Sequence, residues 1–215
     1  MPRIDTVTDA QAGPRTRLIY HFTARGLARL SGAAPAHMLD PLRLYAHIPG
    51  LLRGVAALEQ ATAKLEGLDK RLRALAELKA STLVACEYCI DLGSQVARSW
   101  GLSDDELLAL PHYRDSALFS DLDKLVLDYA VSMSRTPVEV SDDLFVALRE
   151  YLSDTQLVEL THVIALENLR GRFNLALGVD AAGFSEDMVC AVPQRDVDVN
   201  SAPTTITPNR PGDHR

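Results

Sequence analysis

Between Ser120 and Pro137 the residues Leu122, Leu125, Val126, Tyr129, Ala130 and Met133 recur at i, i+3, i+4, i+7, i+8 and i+11. That spacing lays one apolar stripe along a 3.6-residue helix and would scatter over both faces of a strand. Ser120 stands ahead of it as an N-cap and Pro137 closes it. The same grammar runs through the chain. Ser103 opens a capping box with Glu106, Ser141 caps a helix over 142–152, and Ser153 or Asp154 caps a long helix that stops at Gly178. Asp69 caps a helix carrying Leu72, Leu75 and Ala76, and Leu51, Val55, Leu58, Thr62 and Leu65 form a further stripe ended by Gly67. Helices over 15–30 and 41–47 precede them, the second opened by Asp40 and Pro41. The run Val138 to Val140 is too short for a convincing strand. These signals predict an all-α domain of about eight helices with short connections. It spans 14–193, with a loose arm over 1–13 and a disordered tail over 194–215, where Asp, Asn, Thr, Pro and Gly leave little to bury.

Composition narrows the function classes. Ala and Leu dominate the apolar set, which favours helix over strand. With 22 Lys plus Arg against 29 Asp plus Glu, the net charge is −7. Nucleic acid and anionic membrane are therefore not expected as main partners, because both need a basic face. No secretory leader and no membrane span are read from the sequence, so a cytoplasmic location is expected.

Two of the three cysteines stand together in Cys86-Glu87-Tyr88-Cys89. An odd count and no export signal argue against a disulfide framework. A Cys-x-x-Cys pair at a helix start has a redox use. The free N–H groups of the first turn favour a thiolate, and the partner one turn away can close a disulfide. Inert packing of two small residues and half of a zinc site are the competing readings. Cys190 and scattered histidines are what the chain offers to complete a metal site, and no metal or other cofactor is expected.

The stretch Glu77-Leu78-Lys79-Ala80-Ser81-Thr82-Leu83-Val84-Ala85-Cys86-Glu87-Tyr88-Cys89-Ile90-Asp91 resembles the core of the carboxymuconolactone decarboxylase superfamily, and within it the AhpD-type alkylhydroperoxidase branch. Gly101-Leu102-Ser103, the lead-in from Tyr45 to Leu52 and the segment Glu167 to Asn174 extend the likeness over about 40–180. The resemblance implies an AhpD-like helical fold, assembly as a homo-oligomer (trimer or hexamer), and thiol peroxidase or disulfide-exchange activity. Its substrate would be a hydroperoxide or small disulfide, and an external dithiol would be the reductant. By the same resemblance Cys89 attacks the peroxide, and Cys86 donates a proton and resolves the disulfide. Helix-start electrostatics alone lean toward Cys86.

Two departures bear on mechanism. The branch pattern places a glutamate at position 74 and a histidine at position 93, and this chain has Ala74 and Gly93. Glu77, one turn on, is the candidate replacement carboxylate, acting directly or through water, with an interface or solvated carboxylate as its bland reading. Glu87 and Asp91 read as ordinary surface or helix-start charges. His162 reads as a core histidine and Tyr88 as packing. His47 sits at a bend from which it either points at the cysteines or caps a helix. Glu167, Arg170 and Arg172 read as interface salt bridges. A non-catalytic redox-sensing module is the alternative function, and lactone decarboxylation ranks below it.

Overall fold

The computed structural model describes residues 2–194, and among them lie nine α-helices and no strand. They are α1 (Pro14–Ser31), α2 (Asp40–Tyr45), α3 (Pro49–Thr62), α4 (Lys70–Val84), α5 (Glu87–Ser99), α6 (Asp104–Ala109), α7 (Asp121–Ser134), α8 (Asp142–Arg149) and α9 (Asp154–Leu177). The all-helical reading holds for the described residues. Five N-caps sit where the sequence puts them, at Asp69, Ser103, Ser120, Ser141 and Ser153, whereas α2 is capped by Leu39 with Asp40 inside its first turn, and α3 ends at Thr62, ahead of Gly67. Asp69 accepts the N–H groups of Arg71 and Leu72, and Ser103, Ser120 and Ser153 each close a reciprocal box with the residue three on. Arg71 then bridges two of these boxes, bonding Glu106 at 2.5 Å and Asp123 at 3.2 Å. One guanidinium thus ties the starts of α4, α6 and α7 together.

α4 is the central helix, packed on α5, α7 and α9. Leu72, Ala76 and Ala80, at i, i+4 and i+8, enter one core with Val126, Leu148, Leu160 and Ile164. Ala74, Leu75 and Leu78 enter a second with Ile90, Ala97, Leu107 and Leu127. A helix buried on both sides needs small or apolar residues almost all round, and where polar groups occur they need partners. Ser81 and Thr82 meet this by bonding carbonyls of their own helix.

The chain leaves α4 through Ala85, in the left-handed conformation at φ 57°. Ala85 N–H bonds the Thr82 carbonyl and Cys86 N–H bonds the Ser81 carbonyl, the paired closure of a Schellman cap. The chain is therefore cut just ahead of the cysteines, which open the next helix.

Residues 2–13, expected as a loose arm, lie against the body. Arg3 N–H bonds the Leu177 carbonyl, Val7 N–H bonds the Arg43 carbonyl, and Ala12 is buried. These bonds satisfy backbone groups that composition alone left unassigned. The expected tail lies outside the described residues apart from Gln194. That residue is buried: its N–H bonds the Thr82 carbonyl and its Oε1 accepts from Lys79 Nζ at 2.7 Å. No helix among the described residues is long and apolar enough to cross a membrane.

Candidate active site

Cys86 is the N-cap of α5, and its Sγ accepts the N–H of Cys89 at 3.3 Å. The cap is a sulfur in the place where a Ser or Asp oxygen usually sits. Cys86 and Cys89 are joined as a disulfide, with Cα atoms 5.2 Å apart. Cys86 is 0% exposed and Cys89 6%. Around them Leu44, Tyr88, Val179 and Phe184 form a small apolar cluster, with Met38 and Phe173 packed against it. Tyr88 O–H donates to the Met38 carbonyl at 2.5 Å, and burial holds its phenol above the usual range. That ring is structural, as its sequence context suggests.

Helix α9 brings the one polar side chain that reaches both sulfurs among the described residues. Asn174 Nδ2 lies 3.6 Å from Cys89 Sγ and 3.7 Å from Cys86 Sγ, and the residue is 3% exposed. Gly171, one turn earlier, lets the helix come this close. A Cβ there would stand 2.7 Å from Val84 Cγ1 and 3.4 Å from Cys86 Cβ. Glu167, a further turn back, accepts from Ser81 Oγ at 2.8 Å. Glu167, Gly171 and Asn174 fall at i, i+4 and i+7, so α9 turns one stripe toward α4 and the disulfide. From the sequence alone Asn174 carries no assigned role. The i, i+4, i+7 spacing of Glu167, Gly171 and Asn174 is the sequence signal that marks it.

Glu77 stands in a different setting. Its carboxylate meets Arg73 at 3.3 Å and Arg170 Nη1 at 3.9 Å. Arg170 also pairs with Glu167 at 2.8 Å and Glu59 at 2.5 Å. The charged network thus joins α3, α4 and α9 within one chain, where Glu167 and Arg170 were expected to face a partner subunit. Burial raises the Glu77 carboxyl pKa, and Arg170 and Arg73 oppose that rise. Its link to the cysteines is indirect: Arg170 to Glu167, Glu167 to Ser81, and the Ser81 carbonyl to Cys86 N–H.

Positions 74 and 93 are closed. Ala74 is 3% exposed within the apolar α4–α5 core, and a Cβ on Gly93 would meet Leu78 Cδ1 at 3.2 Å. The space that an acid and an imidazole would need is filled by hydrocarbon.

The other singled-out residues resolve simply. Asp91, expected at the surface, is buried, and its carboxylate accepts the N–H groups of Ala182, Gly183, Phe184 and Ser185. A carboxylate that accepts four amides is an anchor, which its place on α5 could not reveal. His162 Nε2 meets the Thr62 hydroxyl at 2.7 Å, and His47 Nε2 meets the Asp5 carbonyl at 2.8 Å. Arg172 donates to the Thr136 hydroxyl at 3.3 Å. Cys190 is free and half-buried, and it lines an open cavity of about 610 Å³ with Glu87, Ile90 and Pro193. Among the described residues no three His, Cys, Asp or Glu side chains gather as metal ligands do.

Comparison with known proteins agrees with this architecture. The model of the carboxymuconolactone decarboxylase family matches residues 49–130, from α3 into α7 and across the cysteine pair. The uncharacterised protein YnjA of Escherichia coli is 36% identical over 163 residues, covering 74% of this chain and 85% of its own length. Among solved structures, an AhpD-core peroxidase-related protein of Ralstonia eutropha superposes with a TM-score of 0.68 at 21% identity, covering 90% of this chain and 98% of that one. A debrominase in its apo form superposes with a TM-score of 0.69 at 19% identity, covering 83% and 91%. With the fold, the matched segment and the relative in agreement, the chain belongs to the carboxymuconolactone decarboxylase family.

Proposed function

We propose that this protein is a thiol-dependent peroxidase of the alkylhydroperoxidase type, cycling Cys86 and Cys89 between dithiol and disulfide. The observation that carries the proposal is the pair itself, joined at the start of α5 inside an apolar enclosure. Cys89 is assigned the attack because it retains some exposure where Cys86 has none. Its thiolate attacks the terminal peroxide oxygen, the O–O bond breaks, and the alkoxide leaves and is protonated to the alcohol. The sulfur is left as a sulfenic acid. Cys86 thiolate attacks that sulfur, the S–S bond forms, and hydroxide leaves as water. An external dithiol then reduces the pair by two exchanges. Overall, one hydroperoxide and one dithiol give one alcohol, one water and one oxidised reductant.

We assign Glu77 a supporting place in this scheme: its carboxylate, ion-paired to Arg73 and Arg170, holds the Arg170–Glu167–Ser81 chain behind the cysteines. A homo-oligomeric, cytoplasmic protein fits the same reading. Val158 and Leu169 on α9 and Phe22 on α1 are exposed apolar residues suited to subunit contact.

Hydroperoxide consumption in the presence of dithiothreitol tests the proposal. Cys86→Ser and Cys89→Ser each abolish turnover if it holds, and turnover retained by both variants defeats it. The closed positions 74 and 93 favour the second reading, a redox sensor without turnover. Its signature is oxidation by one equivalent of peroxide with no steady state under any dithiol.

A further inference from the structure

Ala74 and Gly93 bring no acid or base to the pair. The ionisable groups around it are turned elsewhere: Glu87, between the cysteines, is exposed and lines the Cys190 cavity. Tyr88 bonds the Met38 carbonyl, Asp91 holds the 182–185 amides, Glu167 holds Ser81 and Arg170, and Glu77 pairs with Arg73. Asp40 on α2 bonds His37, and Glu59 on α3 bonds Arg170. What does face the sulfurs is neutral: the Cys89 N–H on Cys86 Sγ, and the Asn174 amide on both.

We propose that the Asn174 carboxamide is the group that stabilises the thiolate of the Cys86–Cys89 pair and sets its redox poise. This deepens the dithiol reading above and rests on it. A primary amide carries two N–H bonds, so one group can serve two sulfurs. Hydrogen bonds to an ionised acceptor are roughly twice as strong as those to a neutral one, and more so where water is excluded. The amide therefore does little for the disulfide and much for the reduced anion.

The placement fits each exchange. A thiolate of the external dithiol attacks Cys89 Sγ, the more exposed sulfur. The S–S bond breaks and its electron pair leaves on Cys86 Sγ. That atom becomes a thiolate under two donors, the Cys89 N–H and Asn174 Nδ2. The second thiolate of the reductant then displaces Cys89 from the mixed disulfide, and Asn174 faces that leaving sulfur too. Lower leaving-group pKa speeds each displacement. Gly171 sets the reach, since α9 can seat Asn174 on both sulfurs only where its backbone lies against Val84 and Cys86.

The test uses the full-length protein and no peroxide. Asn174→Leu removes the donors at similar volume, and Asn174→Asp replaces them with a charged acceptor. Thiolate absorbance at 240 nm is titrated in the reduced protein, and the midpoint potential is read in a dithiothreitol redox buffer. The expected result is at least a tenfold loss of thiolate at fixed neutral pH, larger for Asp than for Leu. The midpoint moves to more negative potential, a tenfold change in the exchange constant being about 30 mV for a two-electron couple. Unchanged titration and midpoint in both variants overturn the proposal. Should neither variant fold, the native chain decides. Its Asn174 side-chain NH₂ resonances must shift on reduction and titrate with the thiol, and resonances that stay fixed overturn it. Because no arm uses peroxide, a native protein that never turns over hydroperoxide defeats the peroxidase reading while leaving this result intact.

Discussion

Asp91 Oδ2 accepts the N–H of Phe184 at 3.0 Å, and the Phe184 ring meets Tyr88 edge-on with centroids 5.9 Å apart. One carboxylate on α5 thus holds the aromatic that closes over the residue between the two cysteines. Asp91→Ala leaves four amides of the 182–185 segment without their acceptor. Each buried amide left unpaired costs about 1–3 kcal/mol, less where water enters. The variant is expected to lose about 3 kcal/mol or more by urea unfolding. Dithiothreitol should also reduce its disulfide faster than the native one, as followed by thiol alkylation.

Gly171 sits where a substitution can take either sign. Glycine to alanine inside a helix is ordinarily worth about 1 kcal/mol in favour of alanine. Here the new Cβ would stand 2.7 Å from Val84 Cγ1. Overpacking costs about 1–3 kcal/mol, so Gly171→Ala is expected to be net destabilising. Adding Val84→Ala should recover part of the loss. Thermal unfolding of the single and double variants measures both.

Lys79 gives a pH signature. It is 2% exposed, with Nζ bonded to the Leu110 carbonyl and Gln194 Oε1 and lying 4.6 Å from the Tyr113 ring centroid. Burial, then Arg114, lower its pKa from 10.5 to about 7, against the pull of Asp128. A lowered lysine pKa means the unfolded chain binds the extra proton above neutrality, so this group's contribution to stability rises with pH across that window. The full slope is about 1.4 kcal/mol per pH unit. The native protein should therefore gain about 1–2 kcal/mol over Lys79→Met between about pH 7.5 and about pH 9. Urea unfolding at both ends checks this, and parallel curves would remove Lys79 as the cause.

Much of the fold was legible because its signals are local. The Ser103 and Ser120 caps and the Leu122 to Met133 stripe need only their own segment to declare a helix. A helix start at the cysteines was legible, but its means was not, since alanine is a helix former and Ala85 here takes the left-handed turn that glycine usually supplies. Arm residues 2–13 and Gln194 were also misjudged on composition. Their partners, Leu177, Arg43, Thr82 and Lys79, stand far off in sequence.

The site divides the same way. The Cys86–Cys89 spacing and the loss of acid and base at Ala74 and Gly93 are present in the string of residues. An i, i+3 relation on a helix is a distance as soon as the helix is known. Asn174 against both sulfurs, Asp91 under the 182–185 amides and Glu77 drawn to Arg170 are not. Each depends on how closely one helix or segment approaches another. That approach is set by packing between distant parts of the chain, through contacts such as Gly171 on Val84, which only the folded backbone brings together.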